Sequence, residues 1–215
     1  MLHRKPRGLR PFAWFTTRVL RIPLRTLAKW HVFNVTVTNR QVVPRKGRVI
    51  IAANHPSIAD PVFLWGALRR VGIALAKAEL WRMLIVGIIM LLLGHIPVKR
   101  GTDSAKLAVD AAVKVLEHEG LVIIFPEGGC TPPGEPMRPF KTGVARMAFA
   151  TGSPVIPVGI KGTDVVKPQG SWRINRKAPV VIRFGEPLNP ADFNGESAQQ
   201  DFLTELHRRI LELSQ

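Results

Sequence analysis

The sequence has no tyrosine and a single cysteine, Cys130, in 215 residues. One cysteine excludes an intramolecular disulfide and any cysteine-built zinc site, and it suits a reducing compartment. Acids are scarce: Asp+Glu number 15 against 31 Lys+Arg, for a net charge of +16. The first carboxylate is Asp60, and residues 1–59 carry twelve cations without one acid. A long apolar run is also missing. The longest uncharged one, residues 83–93, reaches roughly 17 Å as a helix against a bilayer core about 30 Å thick. It reads as a core helix or a segment dipping into one leaflet, not as a span. The N-terminus has neither the apolar stretch nor the small-residue cleavage site of a secretory signal. There is no internal repeat and no low-complexity tract.

What is present is globular: 46% hydrophobic and 21% charged residues, in a length that suits one domain. The basic excess directs the chain towards polyanions: nucleic acid, an anionic membrane surface or phosphorylated substrates. In helical projection Phe12, Phe15, Val19 and Trp30 fall opposite Arg18, Arg21, Arg25 and Lys29. That is the pattern of a helix lying in a lipid interface, kinked at Pro23, which lacks a donor and clashes with the preceding turn. We read residues 1–31 as a basic amphipathic, membrane-associating arm and residues 32–215 as the domain proper.

Within the domain, strands are expected over residues 32–38, 49–53, 73–76, 121–125, 155–160 and 180–184. Helices are expected over 59–70, 80–93, 104–119, 142–150 and 197–213. Alternating strands and helices predict an α/β fold, a single domain with a mostly parallel central sheet flanked by helices. Residues 161–178 read as a basic, irregular loop near the site or the membrane.

Four short blocks carry chemistry. Asn54-His55-Pro56-Ser57-Ile58-Ala59-Asp60 follows a buried strand and opens a helix, where ligands bind in α/β sheets. His55 and Asp60 meet across that turn; the carboxylate fixes the imidazole tautomer, and the other ring nitrogen is left to take a proton from a substrate hydroxyl. Phe125-Pro126-Glu127-Gly128-Gly129-Cys130-Thr131 also follows a buried strand; Glu127 is placed to hold a substrate hydroxyl or a cation, and the glycines admit a ligand to the backbone. In Gly94–Gly101, the adjacent cations Lys99 and Arg100 suit a phosphate. Lys141, in Phe140-Lys141-Thr142-Gly143, opens a helix whose N-terminus favours an anion.

In order and spacing, these blocks resemble the glycerolipid acyltransferase family, which includes the lysophosphatidic acid acyltransferases. The family pattern is N-H-x-x-x-x-D, then G-x-x-x-x-x-R, F-P-E-G and a V-x-P-V-like strand. Here these are Asn54-His55 with Asp60, Gly94 with Arg100, Phe125–Gly128 and Val155–Val158, over roughly residues 30–190. The resemblance implies acyl transfer from acyl-CoA or acyl carrier protein to a lysophospholipid hydroxyl, with 1-acylglycerol 3-phosphate the leading acceptor and phosphatidate the product. His55 is then the general base and Asp60 its orienting partner. Arg100, with Lys99, binds the acceptor's phosphate; Glu127, Gly128 and Lys141 hold the acceptor. No metal and no bound cofactor are implied, and the expected location is the cytoplasmic face of a membrane, peripheral or monotopic. The alternatives are the same chemistry on glycerol 3-phosphate, another lysophospholipid or a glycolipid, or a non-enzymatic basic protein that binds lipid or nucleic acid. No nucleic-acid motif appears.

One departure stands out. Family members usually continue Thr-Arg-Ser after Glu-Gly, whereas this chain has Gly129-Cys130-Thr131. The missing arginine opens the choice of acceptor. A covalent acyl-cysteine at Cys130 is disfavoured on sequence, because no second histidine lies near it and the other motifs already supply a mechanism. Residues 83–93 are a candidate slot for the acyl chain, or plain core.

Overall fold

The computed structural model describes residues 33–98, 104–171 and 173–215. The basic arm and the pair Lys99 and Arg100, expected to bind phosphate, lie outside these, and so does the boundary expected between arm and domain.

The strands are β1 (Asn34–Thr38), β2 (Val49–Ala53), β3 (Ile73–Lys77), β4 (Ile96–Val98), β5 (Leu121–Ile124), β6 (Val155–Lys161) and β7 (Pro179–Phe184). The helices are α1 (Asp60–Ala67), α2 (Leu84–Leu92), α3 (Ser104–Glu117), α4 (Gly143–Thr151), α5 (Thr163–Val166) and α6 (Ala198–Ser214). The strands form one seven-stranded sheet in the order β1-β7-β6-β2-β5-β3-β4. Every neighbouring pair is parallel except β6–β7.

The apolar runs explain this arrangement. In β2 all five residues, Val49 to Ala53, are fully buried, so the strand must be covered on both faces, as in parallel sheets. Side chains alternate across it. Val49, Ile51 and Ala53 join Leu64 and Ala67 of α1 with Ile123, Ile156 and Ile182. Ile50 and Ala52 face the other way, into Ala112 and Leu116 of α3, Val144 and Met147 of α4, and Phe202, Leu206 and Ile210 of α6. Each fully buried aliphatic side chain contributes about 1.5–3 kcal/mol.

Pro157 sits inside β6, opposite Ala52 of β2. A residue's N–H and C=O point to the same side of a strand. Its carbonyl accepts from Gly185 N–H at 2.8 Å, beyond the last β6–β7 pair at Val158–Phe184. The donor that proline lacks is therefore missing where the ladder has already ended.

Four elements differ from expectation, the first being α5 (Thr163–Val166), a short helix inside the stretch read as an irregular loop. The helix expected over 80–93 is a 3-10 turn (Ala78–Arg82) followed by α2, with Met83 in extended backbone between them. Met83, Leu84, Ile88 and Leu91 are exposed, so this segment is not plain core. The first helix stops at Ala67, because Leu68 turns to an extended backbone. Residues 96–98, read as part of a phosphate-binding block, form an edge strand on β3. No helix among the described residues is long and apolar enough to cross a membrane.

Candidate active site

The site lies at the C-terminal ends of three adjacent strands, β6, β2 and β5. All three run parallel, so their ends meet at one edge of the sheet. The chain leaves β2 at Asn54 and His55, β5 at Phe125 to Glu127, and β6 at Gly162 and Thr163. The Asn54 side chain locks the first of these ends. Its amide donates to Ile160 C=O at 2.8 Å, and its oxygen accepts Ile160 N–H at 2.7 Å, continuing the β2–β6 ladder with a side chain.

His55 and Asp60 come together as expected. Nδ1 of His55 stands 2.7 Å from Oδ2 of Asp60. The carboxylate is fully buried, while 15% of the His55 side chain remains exposed. Every other bond to Asp60 fixes its position. Ser57 N–H donates to Oδ2 at 2.8 Å, and the buried Thr163 hydroxyl donates to Oδ1. Ser57 is tied in turn by its hydroxyl to Lys167 C=O at 3.0 Å. Phe125 stacks on the imidazole, with ring centroids 4.1 Å apart and an interplanar angle of 21°.

The electrostatics follow from this packing. Burial acts to lower the His55 pKa, but the hydrogen bond and charge of Asp60, together with Cys130, outweigh it and raise it to about 9. Burial pushes the Asp60 carboxyl up, opposed by its bonds to His55, Thr163 and Ser57. The pair thus shares one proton along the Nδ1–Oδ2 line. His95 shows the contrast: burial without a carboxylate partner lowers it to about 4. It stacks on Trp65 and accepts Ala74 N–H at 3.0 Å, as a neutral core histidine.

Glu127 is 5% exposed. Oε1 accepts the backbone N–H of His55 at 2.8 Å; Oε2 accepts the Thr131 hydroxyl and, at 3.3 Å, Arg138 N–H. Thr131 N–H donates back to His55 C=O at 2.9 Å. One carboxylate thereby clamps the β5 loop to the backbone of the histidine. Gly128 has φ +73°, and the Lys141 side chain lies across it, with Nζ 2.9 Å from where a Cβ would stand. Glycine is needed there for both its backbone angle and its space. Lys141 is exposed and held by its own N–H to Pro126 C=O at 2.9 Å.

Of the residues singled out in the sequence, the structure brings together His55, Asp60, Glu127, Gly128 and Lys141. Sequence reasoning missed three. Thr163 and Ser57 hold Asp60, and no spacing rule connects residues 60 and 163; the available hint was the position of Thr163 just past a buried strand. The third is a contact: Cys130, which the sequence disfavours as an acyl carrier, places its Sγ 3.4 Å from Nε2 of His55. The histidine missing from its sequence neighbourhood comes from the other strand end.

A cleft of about 300 Å³ opens over these groups, lined by Asn54, His55, Glu127, Thr131, Gly162 and Asp164 among others. Among the described residues, no group of three or more His, Cys, Asp or Glu is placed to hold a metal ion.

Comparison with known proteins bears on the family and the fold. A family model described as Acyltransferase matches residues 34–161, more than half of the chain. A 1-acyl-sn-glycerol-3-phosphate acyltransferase of Borreliella burgdorferi is 34% identical over 131 residues, covering 60% of this chain and 52% of that protein. One of the same name from Limnanthes alba is 30% identical over 166 residues, covering 75% of this chain and 57% of that protein. The chain thus spans little more than half the length of these two relatives. The crystal structure of the 1-acyl-sn-glycerophosphate acyltransferase PlsC from Thermotoga maritima superposes with a TM-score of 0.77 at 26% identity, over 95% of this chain and 83% of that one. The matched span holds both strand ends that supply the histidine and the glutamate, and on this footing the chain belongs to the acyltransferase family.

Proposed function

We propose that this protein transfers a fatty acyl group from an acyl thioester, of CoA or acyl carrier protein, to the free hydroxyl of 1-acylglycerol 3-phosphate, yielding phosphatidate. The observation that carries this reading is the His55–Asp60 pair at the mouth of the cleft: a histidine oriented by a fully buried carboxylate. Such a pair accepts a proton from a hydroxyl as it attacks a carbonyl, and stabilises the imidazolium that forms. A thioester is already activated, so the protein's work is to position two substrates and manage one proton. The family membership and the named activity of its relatives support the substrate class.

In this reading the neutral form of His55, whose share grows as pH rises towards about 9, takes the proton of the acceptor hydroxyl at Nε2. Glu127 holds the loop and the His55 backbone in place, and its remaining lone pairs face the acceptor. Lys141, exposed beside Gly128, meets the acceptor's phosphate together with Arg100 and Lys99. The chemistry requires no metal and no bound cofactor. The excess of cations draws the protein to an anionic membrane, where both lipid substrates reside. The exposed apolar residues of α2 suit contact with that surface.

The test is release of free CoA from palmitoyl-CoA in anionic vesicles, with lysophosphatidate, glycerol 3-phosphate and other lysophospholipids offered separately. Release that depends on lysophosphatidate supports the reading. Release with another acceptor alone moves the substrate, as the missing arginine of the third block would allow; release with none overturns acyl transfer from CoA.

A further inference from the structure

Beyond Thr163, the loop between β6 and β7, residues 162–178, has no part in the chemistry described so far, yet it is built onto the site. β6 ends at the site, and β7 pairs with it antiparallel. The chain therefore turns back at that edge of the sheet instead of crossing to the other. Two bonds fasten the loop to the histidine block: the Thr163 hydroxyl donates to Asp60, and the Ser57 hydroxyl donates to Lys167 C=O at 3.0 Å. A third closes the loop on itself, from Asn175 N–H to Val166 C=O at 2.9 Å. Its first residues, Gly162 and Asp164, line the cleft beside His55.

The composition of this loop is lopsided. Residues 161–178 hold five cations, Lys161, Lys167, Arg173, Arg176 and Lys177, against one acid, Asp164. Lys161 and Lys167 are engaged by the backbone carbonyls of Gln215 and Ser171. Arg173, Arg176 and Lys177 are exposed, and among the described residues their side chains have no hydrogen-bond or ion-pair partner. Two aliphatic side chains stand among them: Val165 is 52% exposed and Ile174 54%. The bond from Asn175 to Val166 sets these two stretches side by side. Across the Ser57–Lys167 bond, Ile58 is 63% exposed, and Val62, in the first turn of α1, 51%. Single exposed aliphatic residues are ordinary; four on segments bonded to one another, beside three unpaired cations, are a patch. Cations with apolar neighbours fit an anionic lipid surface, where the cations meet phosphate and the apolar groups enter the interface. Nucleic acid would use the cations and leave the aliphatic groups in water.

We propose that the β6–β7 loop, with Ile58 and Val62, docks on an anionic phospholipid leaflet, separately from the N-terminal arm, and sets the mouth of the cleft against it. The docking stands on the loop's own residues; its purpose, to admit lipid from the leaflet directly to His55, rests on the acyl-transfer reading above. Because the loop is bonded to Ser57 and Asp60, a leaflet that holds it also fixes the orientation of the catalytic pair.

The experiment measures co-sedimentation of the full chain with vesicles of phosphatidylcholine containing phosphatidylglycerol, at fixed salt. One variant carries Arg173→Gln, Arg176→Gln and Lys177→Gln. A control carries Arg45→Gln, Lys46→Gln and Lys114→Gln, the same loss of charge at the opposite end of the sheet: residues 45–46 precede β2, and Lys114 lies in the last turn of α3. One cation at an anionic surface corresponds to about 5-fold in binding, so the loop variant should bind about 100-fold more weakly. The control should stay within about 5-fold of the wild type, and Ile174→Ser should bind about 10-fold more weakly, all shown folded by circular dichroism. A loop variant that binds like the wild type overturns the proposal, and so does a control that is weakened as much as the loop variant. An unchanged Ile174→Ser, with double-stranded DNA displacing the vesicles at the same salt, overturns it in favour of a nucleic-acid surface. Each of these leaves acyl transfer intact. Vesicle docking through the loop by a protein that acylates no acceptor supports the surface and overturns the acyl-transfer reading.

Discussion

Thr163→Val removes one hydroxyl and nearly nothing else. The residue is fully buried, and its hydroxyl donates to Oδ1 of Asp60, a carboxylate with no exposed surface. Valine has the same shape, so no cavity opens, but a buried acceptor loses its donor. Leaving such a group unsatisfied costs about 1–3 kcal/mol. At about 2–4 °C per kcal/mol for a chain of this size, the melting temperature should fall by roughly 2–12 °C. The catalytic effect follows from the same bond. Without Thr163 the carboxylate is harder to keep ionised, so it holds the His55 proton less firmly and the His55 pKa drops from about 9. Thermal denaturation followed by circular dichroism measures the first effect, and the pH profile of CoA release the second. Thr163→Ser keeps the hydroxyl and should restore most of both. A Thr163→Val protein that melts within 1 °C (about 0.5 kcal/mol) of wild type, with an unchanged profile, would refute the role assigned to Thr163.

Two further outcomes follow. The folded pKa of His55, about 9, lies above its ordinary 6.5; its contribution to stability is therefore complete below pH 6.5 and is lost as pH rises through about 9. Urea unfolding should show stability falling across that window by up to about 1.4 kcal/mol per pH unit, and His55→Gln should flatten the fall; an equal slope in both proteins contradicts the assignment. In Glu127→Gln an amide NH2 must face at least one of the three donors that now meet the carboxylate. Stability should drop by about 1–3 kcal/mol and turnover by at least about 10-fold; denaturant titration and steady-state rates check both, and unchanged values remove the clamp.

Much of the fold was legible because burial on both faces leaves continuous apolar runs. β2, β5 and β6 are such runs, and each ends in a polar block. The His55–Asp60 pair was legible because five residues of turn and helix start suffice to bring the two side chains together. What was hidden is contact between strand ends far apart in sequence. Nothing near Thr163 or Cys130 shows that Asp60 and His55 lie beside them; only the order of strands in the sheet makes them neighbours. The break at Met83 was hidden for another reason. The 3-10 turn ends at Arg82 and the helix begins at Leu84, but no proline or glycine marks the junction, and the exposed side chains beyond it do not follow the usual rule that such residues are buried.

The central claim is that His55 handles the proton in acyl transfer to lysophosphatidate. Its most direct test is phosphatidate formation from labelled palmitoyl-CoA and lysophosphatidate in anionic vesicles, comparing wild type with His55→Ala, both shown folded by circular dichroism. The account predicts product from the wild type and a loss of about 10²–10⁴-fold in the variant. Phosphatidate formed by His55→Ala at the wild-type rate would contradict it.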